Sequence, residues 1–370
     1  MIFAIYGNTD LIYKENSVMF RCPYIKPDHK EESEEITMKK LFALLLACVL
    51  LCAASFAVAE PSGSVMMYSS AGEDVVLAIK EAFEAKYPNV QLDFYAATSG
   101  KCVTKLATEF QSGTVACDVF WPADFSTTIG LKNNGQLEQY VSPFAESIDP
   151  QFKDPDGYFT GARMLVFGLT YSTIACTEDE IPDNYGDELL TENFYNQILL
   201  SDPSGSASTR ALVYAFVNNE KYGWEFFEKL KANGAELESS SGAVNNKVAS
   251  GSYKLAFGLD YTTRNLMASG SPLNYKDTTD MVAMAAPICI PVGAPNLELA
   301  KLLYDFILDP QGGQLILTQF NTTPVVSGVD LPEGMLDSAY IAEKCMPIDF
   351  ADLAETSTEL LDRFDGIFKK

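Results

Sequence analysis

The chain has 370 residues, with 26 Lys and Arg against 50 Asp and Glu, a formal net charge of −24. Such acidity argues against nucleic acid as a partner, because phosphate backbones are held by Lys/Arg surfaces. The only histidine is His29, in a segment expected to be removed, which leaves no imidazole for Ser-His-Asp or Cys-His catalysis or for a His-ligated metal.

Residues 1–37 are polar and carry no strong period, and are read as an extension ahead of the true start rather than a structural element. A signal peptide is expected over residues 38–59. Met38-Lys39-Lys40 is its charged start, residues 41–56 its apolar stretch, and Ala57-Val58-Ala59 the small-x-small site cut before Glu60. An uncleaved anchor, or a lipid on Cys48 in the loosely lipobox-like Leu45-Leu46-Ala47-Cys48, stands as an alternative. The protein is therefore expected outside the cytoplasm, in the periplasm or at the outer face of the cell membrane. The remainder suits two domains of roughly 150 residues. It carries Cys102, Cys117, Cys176, Cys289 and Cys345, an odd number with no CxxC pair, so they are expected as small core residues rather than a zinc or redox site.

Residues 65–68 predict a strand, followed by a helix carrying Val75, Val76, Ile79, Ala82 and Phe83 up to Pro88, with Ser70-Ala71-Gly72-Glu73 spaced as its capping box. A strand over 90–95 follows, then a helix with Val103, Leu106, Ala107 and Phe110 on one face. The strand Asp118-Val119-Phe120-Trp121 and a helical stretch ending near Gly135 complete the series. This alternation implies a parallel sheet covered by helices, whose ligands sit beyond the carboxyl ends of the strands. Residues 157–173 read as a long strand crossing between lobes. Two amphipathic helices follow Asp202-Pro203, one through Leu212 and Ala215, the next through Trp224, Phe227 and Leu230. A helix over 245–249 and a strand over 254–259 ending at Asp260-Tyr261 lead to a second crossing over 281–292. Helices over 297–307 and 311–320 and an amphipathic end with Leu360, Leu361, Phe364 and Ile367 finish the chain.

Four stretches place hydroxyls and glycine where a strand gives way to a helix: Ser69-Ser70-Ala71-Gly72, Thr98-Ser99-Gly100, Ser204-Gly205-Ser206-Ala207-Ser208-Thr209 and Ser239-Ser240-Ser241-Gly242. Helix starts present unpaired N–H groups and the positive end of the macrodipole, so several on one cleft would hold an anion. Capping alone is the plainer reading of each stretch taken singly. Ser69, Ser70, Thr98, Ser99, Gly100, Asp124, Ser206, Ser208, Thr209, Ser241, Asp260 and Tyr261 are the expected contacts, and no cofactor is called for. Arg210 is either a further charge for the anion or a solvated helix residue. Asp124 and Asp260 either meet a cationic group of the solute or cap loops.

The ordered series Tyr68-Ser69-Ser70, Ala82-Phe83 with Tyr87-Pro88, Ser99-Gly100, Cys117 to Trp121, Gly168-Leu169-Thr170-Tyr171, Asp202-Pro203 with Gly205, Ala249-Ser250-Gly251, Asn296 with Ala300, and Thr323-Pro324-Val325 resembles the periplasmic binding proteins of ABC importers. The group is the one that contains ferric-ion and phosphonate or phosphate-ester receptors. The resemblance implies an α/β protein of the two-lobed periplasmic-binding-protein fold, type II, each lobe a mainly parallel sheet flanked by helices and joined by hinge strands. Lobe 1 is expected over 60–168 and 282–370, lobe 2 over 169–281. It implies a monomer that closes on a small anionic solute, an organophosphate or phosphonate, and docks to membrane permease subunits. The ferric-ion members carry adjacent tyrosines after the strand matching residues 254–259. Here that position reads Asp260-Tyr261-Thr262-Thr263, with one Tyr, and a ferric set would draw on Tyr171, Tyr261 and Asp260.

An exported hydrolase is the reading from another class. Ser99-Gly100-Lys101 echoes a phosphate-binding P-loop, but Tyr95 stands where the loop needs Gly and Cys102 where it needs Ser or Thr. Thr98 and Lys101 have a nucleophile–lysine spacing without the usual Ser or a partner motif.

Overall fold

The computed structural model describes residues 60–369. The signal peptide expected over 38–59 and the extension before it lie outside the described residues. Strand β1 (Gly63–Ser69), helix α1 (Glu73–Lys86), β2 (Val90–Ala96), α2 (Ser99–Ser112), β3 (Val119–Trp121) and α3 (Phe125–Asn133) form the first alternating run. Helix α1 buries Val75, Val76, Ile79 and Phe83, the face its periodicity predicts. It stops ahead of Pro88, which disfavours helical backbone in the residue before it. Gly113 ends α2 in the left-handed conformation at φ 73°, its N–H returning to the last-turn carbonyls. The expected capping box at Ser70 does not form. Gly72 is the N-cap of α1 and offers no side chain, while the Ser70 N–H donates to Trp121 O at 2.9 Å.

The long strand β4 (Phe159–Ser172) is buried along its whole length. It is followed by β5 (Ile198–Ser201), α4 (Ala207–Val217), α5 (Gly223–Ala232), β6 (Glu236–Glu238), α6 (Ser241–Ala249), β7 (Leu255–Leu259), α7 (Asp260–Ala268), β8 (Leu273–Lys276) and β9 (Val282–Cys289). Helices α8 (Leu297–Leu308), α9 (Gly313–Gln319), α10 (Ser338–Lys344) and α11 (Phe350–Phe368) close the chain. The nine strands run in the order β2-β1-β3-β9-β4-β7-β5-β6, with β8 also on β4. Parallel strands β1, β2 and β3 lie to one side of β4 and β9, and parallel strands β5, β6 and β7 to the other. This is the two-lobed type II fold that the resemblance implies, with β4 and β9 as the shared strands.

One buried carboxylate fixes the first lobe. Asp118 Oδ2 accepts from Met66 N at 2.8 Å and Asn296 Nδ2 at 3.2 Å, and Oδ1 accepts from Asn296 N at 2.7 Å, tying β1 and β3 to the start of α8. Asp118→Asn weakens these charge-assisted bonds and turns an amide donor toward a donor. It is expected to cost about 2 kcal/mol of stability, read from the midpoint of urea unfolding.

Helix α11 packs against both lobes. Its Phe350 meets Phe125 of α3 with ring centroids 5.0 Å apart, its Phe364 meets Phe227 of α5 at 5.5 Å, and Tyr214 of α4 donates to its Asp352 Oδ2 at 2.7 Å. Beyond it, Lys369 pairs with Asp202 at 2.9 Å. Among the cysteines, Cys102, Cys117, Cys176 and Cys289 are buried thiols, and Cys345 is half-buried.

Candidate functional site

The register of the sheet decides where the hydroxyl corners point. Ser69 at the end of β1 stands beside Ala96 at the end of β2 and Trp121 at the end of β3, so the three strands of the first lobe finish level. In the second lobe Ser201 pairs with Glu238, and Leu199 with Ala256, so β5, β6 and β7 also finish close to one another. Strands β3 and β4 are both antiparallel to β9 and therefore run the same way, whereas β7 is antiparallel to β4. The carboxyl edge of one lobe consequently faces the carboxyl edge of the other.

The interval between these edges can be counted along β4. Phe120 of β3 is level with Cys289 of β9 and hence with Phe159 of β4, whereas Leu259 at the end of β7 is level with Phe167. The edges are thus separated by six or seven residues of extended chain, about 20 Å. A cleft of that width between opposed strand ends is where ligands of open α/β sheets sit.

At the first edge, Ser99 Oγ accepts from Ala123 N at 3.3 Å, leaving its proton free to donate, and the Ser70 hydroxyl donates to Trp121 O at 3.4 Å. Those contacts hold the corners after β1, β2 and β3 together. Thr98 is the N-cap of α2, and its carbonyl rather than its side chain takes the first helical bonds. A side chain added at Gly100 would meet nothing within 4 Å, so the first turn of α2 is open. Ser69 is fully buried and its Oγ accepts from Ala71 N, which makes it part of the turn. Asp124 caps α3, its two oxygens taking the Thr127 N–H at 2.9 Å, the Thr127 hydroxyl at 3.0 Å and the Ser126 hydroxyl. Of the two readings open for Asp124, the local cap is the one its contacts show.

At the second edge, Ser206 caps α4. Its Oγ accepts from the Thr209 hydroxyl at 2.9 Å and the Thr209 N–H at 3.3 Å and lies 3.2 Å from Ser208 Oγ. Ser241, in the first turn of α6, lies 3.3 Å from Ser201 Oγ. Arg210 turns away toward α11, donating to Pro203 O and Ser357 Oγ, both at 3.3 Å.

Asp260 is the first residue of α7, a helix the sequence reading ran past as the end of a strand. Its Oδ1 accepts from Val166 N on β4 at 3.4 Å. Burial pushes its pKa up from 3.8 to about 7, against the opposing pull of the Tyr261 and Val166 N–H groups.

The tyrosines do not gather. Tyr261 adjoins Asp260, but Tyr171 lies at the far end of β4, level with Leu255 at the start of β7. It is five residues, about 16 Å, beyond the Val166 that Asp260 binds. There its OH accepts from Asn274 Nδ2 at 2.8 Å, and burial raises its pKa, which disfavours a phenolate. The sequence reading missed Arg163, whose guanidinium carbon lies 5.8 Å from the Trp121 ring and 5.4 Å from the Tyr261 ring, midway along the interval. The signal was present as the one charged residue within the apolar run of the crossing strand.

Opposed strand ends on two lobes joined by shared strands define a receptor that grips a solute between its halves. The chain belongs to the bacterial extracellular solute-binding proteins, whose family model matches residues 127–356, more than half of the sequence. These are receptors of the ABC-importer class and binding proteins rather than enzymes. Solved structures agree on the fold. The periplasmic binding protein AfuA from Actinobacillus pleuropneumoniae, with exogenous fructose 6-phosphate bound, is 21% identical over 84% of this chain and 99% of its own, at a TM-score of 0.71. Iron-bound HitA from Pseudomonas aeruginosa is 16% identical over 82% of this chain and 99% of its own, at 0.69. The Trichodesmium protein IdiA (FutA), in complex with iron and citrate, is 18% identical over 82% and 99%, at 0.63. A search of curated proteins finds no match.

Proposed function

We propose that the chain captures a small anionic solute, an organophosphate or phosphonate, between its lobes and delivers it to the permease subunits of an importer. The reading rests above all on the opposition of the two hydroxyl-bearing carboxyl edges across β4. The lobes run over 60–168 with 282–370 and over 169–281, as the crossing strands imply. Ser99 and Gly100 from one edge, and Ser206, Ser208 and Ser241 from the other, offer hydroxyl and N–H donors; Ser70 and Thr209, whose own donors go to Trp121 O and Ser206 Oγ, hold the corners behind them, and Asp260 and Tyr261 flank the set. Each hydrogen bond to a charged group contributes about 1.5–3 kcal/mol, so a few converging donors reach micromolar affinity after ordering costs. Closure follows because a solute shifts the lobe equilibrium as far as it binds the closed form better. Fructose 6-phosphate in AfuA supports a phosphate ester.

Iron in HitA supports a ferric ion as the second reading. Tyr171, Tyr261 and Asp260 would have to serve it, and the distance of Tyr171 from the other two weighs against that set.

The double variant Ser99→Ala, Ser206→Ala is expected to bind fructose 6-phosphate about 30-fold more weakly by calorimetry. Its loss of stability should be about 1 kcal/mol, from the missing cap of α4. Unchanged affinity would remove these serines from the site. A thermal-shift screen over fructose 6-phosphate, 2-aminoethylphosphonate, inorganic phosphate and ferric citrate tests the solute class. A bound solute at a hundredfold excess over its dissociation constant stabilises by about 2.7 kcal/mol.

A further inference from the structure

Arg163 is only 3% exposed. Its Nε has no hydrogen-bond partner, and no carboxylate lies within ion-pair distance of it among the described residues. A buried guanidinium with five donors and no counter-charge is strongly disfavoured, and two cation–π contacts offset only a part of that. Its position gives the reason it is retained. Arg163 pairs with Ala286 at an irregularity in the β4–β9 ladder, between Thr160, near the end of β3, and Val166, which binds Asp260.

Its two aromatic neighbours come from opposite edges of the cleft. The Trp121 carbonyl takes both the N–H and the hydroxyl of Ser70, and Tyr261 belongs to the first turn of α7. The indole Nε1 of Trp121 is likewise buried without a partner. Unpaired donors from β3 and β4 therefore stand together at the middle of the crossing strand.

We propose that Arg163 is the fixed positive charge of the cleft and that the anionic group of the solute is its missing counter-ion, held by the guanidinium fork while Trp121 and Tyr261 clamp its faces. The inference rests on the receptor reading above and deepens it. It selects an anion that presents two oxygens on one centre, as a phosphate monoester or phosphonate does, over a neutral sugar, since such a pair meets the parallel N–H donors and balances the guanidinium charge.

The test compares the wild-type chain with Arg163→Gln and Arg163→Lys, by calorimetry and thermal melting, against fructose 6-phosphate, 2-aminoethylphosphonate, inorganic phosphate and fructose. For Arg163→Gln, affinity for the anion that the wild type binds best is expected to fall about 100-fold, while the solute-free protein melts no lower than wild type because an uncompensated charge has gone. Arg163→Lys, which keeps the charge but not the fork, should lose about tenfold; it carries the test should the Gln variant not fold. Anion affinity within threefold of wild type in a folded variant overturns the anchor and leaves the receptor reading standing. A wild-type protein that binds none of the three anions, or binds fructose as tightly as its phosphate, overturns both.

Discussion

Gln314→Leu is expected to destabilise the protein by about 4 kcal/mol, more than any single change at the cleft. Gln314 is fully buried in the first turn of α9 and every polar atom of its amide is used. Nε2 donates to Ala162 O at 2.7 Å and to Ile307 O at 2.8 Å, and Oε1 accepts from Val325 N at 2.9 Å. One side chain thus ties the crossing strand, the end of α8 and the segment after α9. Leucine fills a similar volume but leaves two carbonyls and one N–H dry, each costing roughly 1–3 kcal/mol. Equilibrium urea unfolding with an unchanged slope reads the loss; a shift below about 1 kcal/mol would show that water enters to satisfy these groups. Because Ala162 adjoins Arg163, the same variant loosens the strand at the middle of the cleft.

Asp260→Asn is expected to be stabilising, by an amount that grows as pH rises from about 4 to 7 and is constant above. In the unfolded chain Asp260 ionises near 3.8, and in the folded chain burial holds its proton up to about 7. Between those values the folded protein keeps a proton that the unfolded chain has released, so stability falls as pH rises through the window and the full penalty stands above it. At 1.36 kcal/mol per pH unit over the interval from 3.8 to about 7, the wild type carries a penalty of roughly 4 kcal/mol at pH 8 that is nearly absent near pH 4. Asparagine never ionises and its amide oxygen still accepts from Val166 N. The variant should therefore match wild type at pH 4 and exceed it by about that amount at pH 8 in paired denaturation curves. Equal stabilities at pH 8 would mean that a cation or water already compensates the carboxylate.

What was legible in the sequence follows from range. Strand ends and helix starts are written locally, in Ser99 after β2 and Ser206 before α4, and these elements fall where periodicity and the hydroxyl stretches put them. The short strands β6 and β8 were not foreseen, because three or four residues are too few to show a period. Helix α7 was missed because the apolar run of β7 enters it directly, with no side-chain cap at Leu259 to mark the boundary. Asp118 and Gln314 carry no local mark either. Their partners Asn296 and Ala162 are 178 and 152 positions away, and only the assembled fold brings them together. The pairing of hydroxyl corners across β4 is of the same kind, since strand direction, not composition, turns two edges toward each other.

Helix α11 bears on how such a receptor rests when empty. A brace fastened to both jaws of a clamp limits how far they part. Opening must surrender either the Phe350–Phe125 ring contact or the Phe364–Phe227 and Tyr214–Asp352 contacts. The unloaded molecule is thereby biased toward a narrow gape, which spares an arriving guest part of the work of drawing the jaws together.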